Sequence, residues 1–537
     1  MTGDATLNAP TRASVRRATA REWTGLAVLA LPTLLLAMDM TVLHLAVPSL
    51  SAALEPTSSQ LLWIVDIYGF MIAGFLIIMG NVGDRIGRRR LLLTGATAFG
   101  LASMLAAFAP TTGTLIAARA LLGIAGATLM PSTLSLIRNM FEDPVQRTTA
   151  VTIWMSSFMI GAIIGPLVGG VMLALFWWGS VFLLAVPVMV LLLIVGPILL
   201  PEFRNEGKAR LDPPSVILAL AAILLLVFAL KETARYGPVW HGAIAGLAGL
   251  ITGALFIRRQ MRLDDPLLDL RLFRNGGFTA SLVSLALAIF AISGAMFLIY
   301  QYLQGVIGLS PLEAGLWLLP SSLAGPVVAF AVPALSQRMA PNRLIAAGLA
   351  TGAAGLACFG LVGHLNGLAV IVGGMIVLSI GLTPVTILGT DLIISSAPAE
   401  QAGAASAISE TGTELGMALG VAVFGSLATA IYRSGLATGI GADIPGALLG
   451  RASETLGAAI AVAAEADPAA GSAILTAARN AFTTGLQVSA LIAAVVTVLV
   501  ALMALRYLPK AVRSGADITT EVAATAGSVT GGSWPNA

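Results

Sequence analysis

Charge is what this sequence has least of: 10% of its 537 residues are Asp, Glu, Lys or Arg, against about 25% in soluble domains. That shortage excludes a water-soluble globular protein. A mean hydropathy of +0.93, spread along nearly the whole length, also excludes one anchor helix carrying a large soluble domain. Cysteine is nearly absent. Cys358 stands alone, so no intrachain disulfide, thiolate metal cluster or redox pair is available. Histidine is limited to His44, His241 and His364, never at i, i+4 spacing, which leaves a metal site without support. The lysines Lys208, Lys231 and Lys510 fall in no G-x-x-x-x-G-K-[ST] pattern, so the chain has no phosphate-cradling loop and no ATPase of its own. A nucleophile with an acid-base set at a span end is also missing, so the chain reads as no enzyme. Net charge is +3, but the bases follow loops and form no patch, which argues against nucleic acid as a partner.

Long apolar stretches are what the chain does have. Six runs, at about 24–50, 60–82, 90–109, 113–138, 148–174 and 179–200, are followed by eight more at about 214–231, 239–257, 278–304, 312–335, 344–364, 367–393, 402–432 and 483–507. Each is long enough to cross a bilayer as a helix, giving fourteen spans. Arg12, Arg16, Arg17 and Arg21 precede the first run, as in a secretory signal, but the run is long and carries Asp39, so an uncleaved first span is expected. Lys and Arg crowd the N-terminal tail and alternate loops. The opposite loops hold only Lys231, Arg235, Arg433, Arg451 and Arg479, and Arg119 alone is read as lying within a span. The positive-inside rule then places both termini in the cytoplasm.

The polar stretch Pro201 to Asp212 and the charged stretch Arg258 to Arg274 mark the seventh and eighth spans as an inserted pair between two six-helix blocks. The domain reading is a cytoplasmic tail (1–21), a first six-helix bundle (22–200) and a linker with the inserted helices (201–277). A second bundle (278–508) with an external helical loop (433–482) and a disordered cytoplasmic tail (509–537) follow. The loop from Gly83 to Arg90 is echoed by Ser336 to Arg343, and Gly161, Gly165 and Gly169 in the fifth span match the spacing of Gly412, Gly416 and Gly420 in the thirteenth. Two related six-helix halves are a transporter architecture.

Four carboxylates fall well inside spans: Asp39, Asp66, Glu410 and Glu414. Each costs at least about 2.5 kcal/mol to insert. With Arg119 as the single intramembrane base, at least three should lack a fixed cation. Unpaired carboxylates in a low dielectric can exchange protons near neutral pH and, when ionised, attract cations. Glu410 and Glu414, four apart, share one helix face and repel when both are charged. Asp391 and Glu313 sit near span ends, where a solvated role is expected. Gly161, Gly165, Pro166 and Gly169 allow close helix approach and a bend. Gly80, Asp84, Arg85, Gly87 and Arg88 place an acid and bases on a tight turn, read as a charge lock between bundles that open and close. Trp63, Tyr68, Trp154, Phe158, Tyr300 and Trp317 offer ring faces to organic cations, and Trp63 lies one turn from Asp66.

On these residues the chain, over about 22–508, resembles the major facilitator superfamily and within it the fourteen-helix drug:proton antiporters. The Asp84 loop looks like that family's motif A. Arg119 to Gly126 is similar to motif B, whose arginine is implicated in proton coupling, although Leu122 stands at an often polar position. Gly161 to Gly170 looks like motif C, associated with export. Asp39 to Pro48 is similar to the branch signature, with His44 where Asn is usual. Trp63 to Tyr68 and Gly403 to Gly425 also look like the branch, while Leu319 to Pro333 lacks the acid that some members carry.

The resemblance implies an all-α integral membrane protein with two six-helix bundles plus two inserted helices, in the bacterial plasma (inner) membrane. It implies a proton-coupled antiporter exporting lipophilic, mainly cationic compounds such as dyes, quaternary ammonium compounds and drugs by alternating access. Proton coupling is expected at Asp39, Asp66, Arg119, Glu410 and Glu414. Substrate contacts are expected at Asp39, Trp63, Asp66, Trp154, Glu410 and Glu414, and gating at the two glycine motifs. No cofactor other than the coupling proton is expected, and a monomer in the lipid bilayer is. The alternatives are an exporter of one specific metabolite or self-made antibiotic, or a channel or membrane enzyme.

Overall fold

A backbone inside hydrocarbon must satisfy its own hydrogen bonds, which leaves the helix as the way for each of these apolar runs to cross. The computed structural model describes residues 17–202, 212–237, 239–263, 266, 268–397, 402–439 and 445–508. Most of the polar stretch 201–212 and the tail 509–537 lie outside the described residues.

The first block comprises α1 (Ala20–Leu54), α2 (Ser58–Ile86), α3 (Arg88–Ala107), α4 (Thr112–Met140), α5 (Pro144–Leu175) and the broken pair α6 (Ser180–Leu183) and α7 (Ala185–Leu199). The inserted helices are α8 (Pro213–Tyr236) and α9 (Trp240–Gln260). The second block begins with α10 (Gly276–Gln301), continued by a π-helical stretch Tyr302–Ile307, then α11 (Pro311–Ser336), α12 (Pro341–Cys358), α13 (Gly367–Ser395) and α14 (Ala402–Gly439). Two short helices, α15 (Gly446–Ala452) and α16 (Leu456–Glu465), precede α17 (Pro468–Tyr507). Among the described residues fourteen helical segments are long and apolar enough to span a membrane. The sole extended pairing among the described residues is an isolated bridge between Val362 and Leu365.

Helix starts follow local chemistry. Thr57 opens α2 with a capping box: its hydroxyl accepts from the Gln60 N–H at 3.3 Å, and the Gln60 side chain accepts from the Thr57 N–H at 2.9 Å. Residues 468–482, expected within the external helical loop, are instead the start of α17, because the helix begins at Pro468 and meets no breaker before the membrane run.

The described residues fall into two compact units. One is drawn from Met1–Leu267, Met296–Leu319 and Val421–Gly485, the other from Leu268–Ala295, Pro320–Gly420 and Leu486–Ala537. In the first unit, the segment after α14 covers the helix ends opposite the N-terminus. Arg451 joins Glu55 at 3.0 Å and Glu465 at 2.9 Å, Glu454 accepts from the Ser58 N–H and hydroxyl at 3.0 Å each, and Tyr432 donates to the Ala452 carbonyl at 2.8 Å.

Glycine sets the closest helix contacts in both units. In the first, a Cβ on Gly161 would press against the Leu34 carbonyl of α1, one on Gly165 would lie 3.2 Å from Met38 Cα, and one on Gly169 would lie 2.6 Å from Val42. In the second, Gly412, Gly416 and Gly420 of α14 meet Leu282, Ala286 and Phe290 of α10, with a Cβ on Gly416 only 2.5 Å from the Ala286 carbonyl. The fifth helix of each block therefore packs on the first helix of its block through the same glycine spacing, which realises the internal repeat.

The inserted pair forms its own hairpin. Arg259 donates to both Asp212 oxygens, at 2.9 and 2.6 Å, and Gln260 donates to Ser215 at 2.6 Å. The Arg259 guanidinium holds the Asp212 carboxyl below the usual carboxylate range. A depressed value in the folded state gives stability that is present above about pH 3.9 and lost as pH falls through the folded value. Asp212→Asn should therefore lower the unfolding midpoint of the solubilised protein at pH 7, with the gap to wild type shrinking progressively as pH falls below about 5. A gap that stays constant over that range would show that the pair contributes nothing through its charge.

A second test separates packing glycines from spare ones. Among the described residues no atom outside the local helix backbone lies within 4 Å of a Cβ built on Gly80, so Gly80→Ala should stabilise α2 by up to about 1 kcal/mol. Gly161→Ala, which meets backbone, should destabilise by about 1–3 kcal/mol. Thermal unfolding that ranks the two in the opposite order would refute the contact.

Candidate functional site

Asp39 comes from near the middle of α1 and Arg119 from the third turn of α4. The Arg119 guanidinium donates from Nη1 to Asp39 Oδ2 at 2.7 Å and from Nε to the Ile64 carbonyl at 3.2 Å. It also lies 4.4 Å from the Tyr68 ring centre and 5.9 Å from that of Phe182. The arginine side chain is 2% exposed and the aspartate 12%. A charge so placed is tolerated in the bilayer because a carboxylate, a carbonyl and two rings replace its water.

Asp66 has its own cation. Lys231 of α8 donates from Nζ to Asp66 Oδ1 at 2.9 Å and lies 2.8 Å from Oδ2, with both side chains wholly buried. The same ammonium sits 3.7 Å from the centre of the Trp63 ring. The expectation that at least three intramembrane acids lack a fixed cation is thus corrected: Asp39 and Asp66 are both paired. Lys231, read from sequence as a loop residue, lies inside the span because α8 runs on to Tyr236. Its signal was there, a lone lysine at the end of an apolar run with an acid elsewhere needing a partner.

Glu410 and Glu414 belong to the other unit, on one face of α14. Glu414 is 2% exposed and its Oε2 has no hydrogen-bond partner among the described residues. Neither glutamate has a salt bridge among the described residues. Glu313 closes a capping box with Ser310, its Oε2 accepting from the Ser310 N–H at 2.8 Å, and Asp391 is exposed, as their positions near span ends suggested. Trp154 is buried and donates its indole N–H to Thr133 at 3.2 Å. His44, also buried, stacks on Tyr300 with ring centres 6.3 Å apart and meets the Phe297 edge at 6.2 Å.

The turn after α2 shows what its glycines are for. Gly87 has φ +108°, a left-handed region that favours glycine, and a Cβ there would run into Glu202. Glu202, at the end of the first block, accepts from the Arg89 N–H at 3.2 Å and lies 3.7 Å from the Arg89 and 3.8 Å from the Arg90 side chains. Arg88 folds over Gly83, where a Cβ would meet it at 3.0 Å, and Arg85 is exposed. Asp84 lies in α2, but its side chain, and with it the expected charge lock, falls outside the described residues. Sequence reasoning missed Glu202, which nothing but its place at a helix end could have flagged.

Helix count, paired glycine contacts and intramembrane charges together call for comparison with known transporters, and the Major Facilitator Superfamily profile matches residues 29–421. The chain belongs to the major facilitator superfamily. It is 44% identical over 485 residues to the multidrug efflux pump LfrA of Mycolicibacterium smegmatis, covering 90% of this chain and 95% of that one. It is 36% identical over 476 residues to the methyl viologen resistance protein SmvA of Salmonella typhimurium, covering 86% and 93%. The tetracenomycin C resistance and export protein of Streptomyces glaucescens is 30% identical over 417 residues, 76% of each chain. Among solved structures, a bacterial homolog of the human lysosomal transporter Spinster, inward-facing and unoccupied, aligns over 91% of this chain and 99% of its own with a TM-score of 0.61 at 16% identity. That likeness carries the fold. This major facilitator protein is a multi-pass membrane transporter, and its fourteen spans match the expected two bundles plus an inserted pair.

Paired and unpaired acids in this transporter should respond oppositely to neutralisation. Asp39→Ala leaves the buried Arg119 charge with a carbonyl and two rings only, at a cost of about 3–5 kcal/mol. Glu414→Gln removes an acid without a cation and should leave stability unchanged or raised. Thermal unfolding in detergent tests the contrast, and equal losses in the two variants would rule it out.

Proposed function

We propose that this protein exports lipophilic, mainly cationic compounds, including dyes, quaternary ammonium compounds and drugs, in exchange for protons. The observation that carries the proposal is the buried Asp39–Arg119 pair on α1, the helix against which the glycines of α5 pack. Protonating Asp39 removes the charge that holds Arg119 and leaves the guanidinium with the Ile64 carbonyl and the rings. A proton is thereby coupled to the setting of α1, the helix on which the glycines of α5 pack. The similarity to a multidrug efflux pump and to a methyl viologen resistance protein supports the substrate class.

The other site residues take roles consistent with this scheme. Asp39, Asp66, Arg119, Glu410 and Glu414 carry the proton coupling, and Trp63 and Trp154 line the route for cations together with the acids. Gly80, Asp84, Arg85, Gly87 and Arg88, with Gly161, Gly165, Pro166 and Gly169, govern the exchange of conformations and do not bind ligand. At Glu410 and Glu414 a cationic substrate and a proton compete for one negative site. The protein needs no cofactor beyond the proton and acts as a monomer in a bacterial inner membrane. The excess of Lys and Arg on the N-terminal side supports cytoplasmic termini. One pH unit supplies about 1.4 kcal/mol and 100 mV about 2.3 kcal/mol per charge, enough for gradients of tens to hundreds per proton.

A second reading, export of one self-made antibiotic or metabolite, is favoured by the similarity to the tetracenomycin C resistance and export protein. Reconstitution separates them. Proteoliposomes with an imposed pH gradient should move ethidium and other structurally unrelated cations, and Asp39→Asn should abolish that flux while the protein still inserts. Proton-driven flux that survives Asp39→Asn removes Asp39 from the mechanism. Flux restricted to a single compound would favour the second reading.

A further inference from the structure

A carboxylate beside an indole face, shut away from water, is a complete recognition set for an organic ammonium ion. Trp63 and Asp66, three residues apart on α2, present such a set on one helix face. In this structure its occupant belongs to the chain: the Lys231 ammonium lies 2.9 and 2.8 Å from the two carboxylate oxygens and 3.7 Å from the ring centre. The pair is wholly buried, so the Asp66 charge is offered to no other cation while the lysine stays.

Lys231 has somewhere else to go. α8 ends at Tyr236, five residues beyond it, or about 7.5 Å along the axis. Lysines this close to a helix end extend their stems to the membrane interface. At that end of the hairpin the surroundings are already polar, with Glu232 paired to His241 at 2.9 Å.

We propose that Lys231 is a tethered counter-ion that fills the Trp63–Asp66 cradle when no substrate is bound and swings to the interface when an organic monocation takes its place. The inference rests on the export reading above and names a specificity-determining residue for it. Exchanging one ammonium for another leaves the charge of the cradle unchanged, so the desolvation that makes a lone buried charge expensive does not arise. A neutral compound has no such exchange to make. The cradle offers a single negative charge and one ring, so it selects singly charged organic cations. The rival account is a static anchor fastening the inserted hairpin to the first block, with Lys231 never leaving Asp66.

The chain's lysines are Lys208, Lys231 and Lys510, so reductive methylation followed by peptide mass spectrometry follows Lys231 directly in the full-length protein in nanodiscs. Lys231 should label slowly in the ligand-free protein and about fivefold or more faster with saturating tetraphenylphosphonium, the scale of one desolvated cation–π contact. A neutral lipophilic dye should not change its rate, and Lys208, in the polar stretch between the sixth and seventh spans, serves as the internal reference. Labelling that is unchanged or slowed by tetraphenylphosphonium overturns the proposal. As a second measurement, Lys231→Met should bind tetraphenylphosphonium about fivefold more tightly, with the gain lost in the double variant Lys231→Met/Asp66→Asn. Binding no tighter than wild type also overturns it, and if Lys231→Met fails to fold, the wild-type labelling decides. Efflux intact with Lys231 unmoved defeats this inference alone, whereas absence of any proton-driven efflux defeats the export reading beneath it.

Discussion

A charge in hydrocarbon must bring its own solvent, and in this protein two ion pairs do so. Asp39 with Arg119 and Asp66 with Lys231 replace water by carboxylates, a backbone carbonyl and aromatic faces. The constraint reaches well beyond four side chains. It fixes which faces of α1 and α4 look at each other, and it ties the inserted helix α8 to α2. Lys231 gives the α8–α9 hairpin a polar tie to the first block beside its apolar contacts, for which lipid competes on equal terms.

Glycine answers the complementary problem of how polar helices come close enough to share such pairs yet still slide. A ladder of small residues brings α5 against the backbone of α1 and, in the second unit, α14 against that of α10. Contacts between backbones have few interlocking side chains to disengage. On the proposed reading this is why the motif serves a transporter: the interface is tight enough to exclude lipid and smooth enough to be remade. Pro166 adds a missing donor within the same helix, and Gly315 of α11 fits over its carbonyl, where a Cβ would come to 3.0 Å.

Much of this was legible in the amino-acid order because the membrane imposes length and polarity so strictly. Fourteen runs gave fourteen spanning segments, and the spacing of Gly161, Gly165 and Gly169 against Gly412, Gly416 and Gly420 announced a repeat that the packing bears out. What stayed hidden were partners brought together across long separations. Lys231 and Asp66 are far apart in the chain, and a lone lysine at the end of an apolar run does not say which acid it meets. The error was one of helix length: ending the span at Lys231 made an internal cation look like a loop charge. Glu202 was invisible for a different reason, since a lone acid at a helix end has no periodicity to betray its contact with Gly87 and Arg89.

The two units differ in how their buried acids are solvated. Those of the first unit carry a cation each, whereas Glu410 and Glu414 of the second share a helix face with no cation among the described residues. A foreign cation must displace the partner of a paired carboxylate before it can bind. An unpaired one accepts whichever arrives. The sequence therefore sets up sites of unequal readiness along one transporter, and only the paired ones possess a defined internal state to change. On the proposed mechanism this divides the labour: α14 meets the incoming charge, and the pairs on α1 and α2 convert its presence into rearrangement of helices. A protein with all four acids paired would be too inert to load, and one with all four free would have nothing to rearrange.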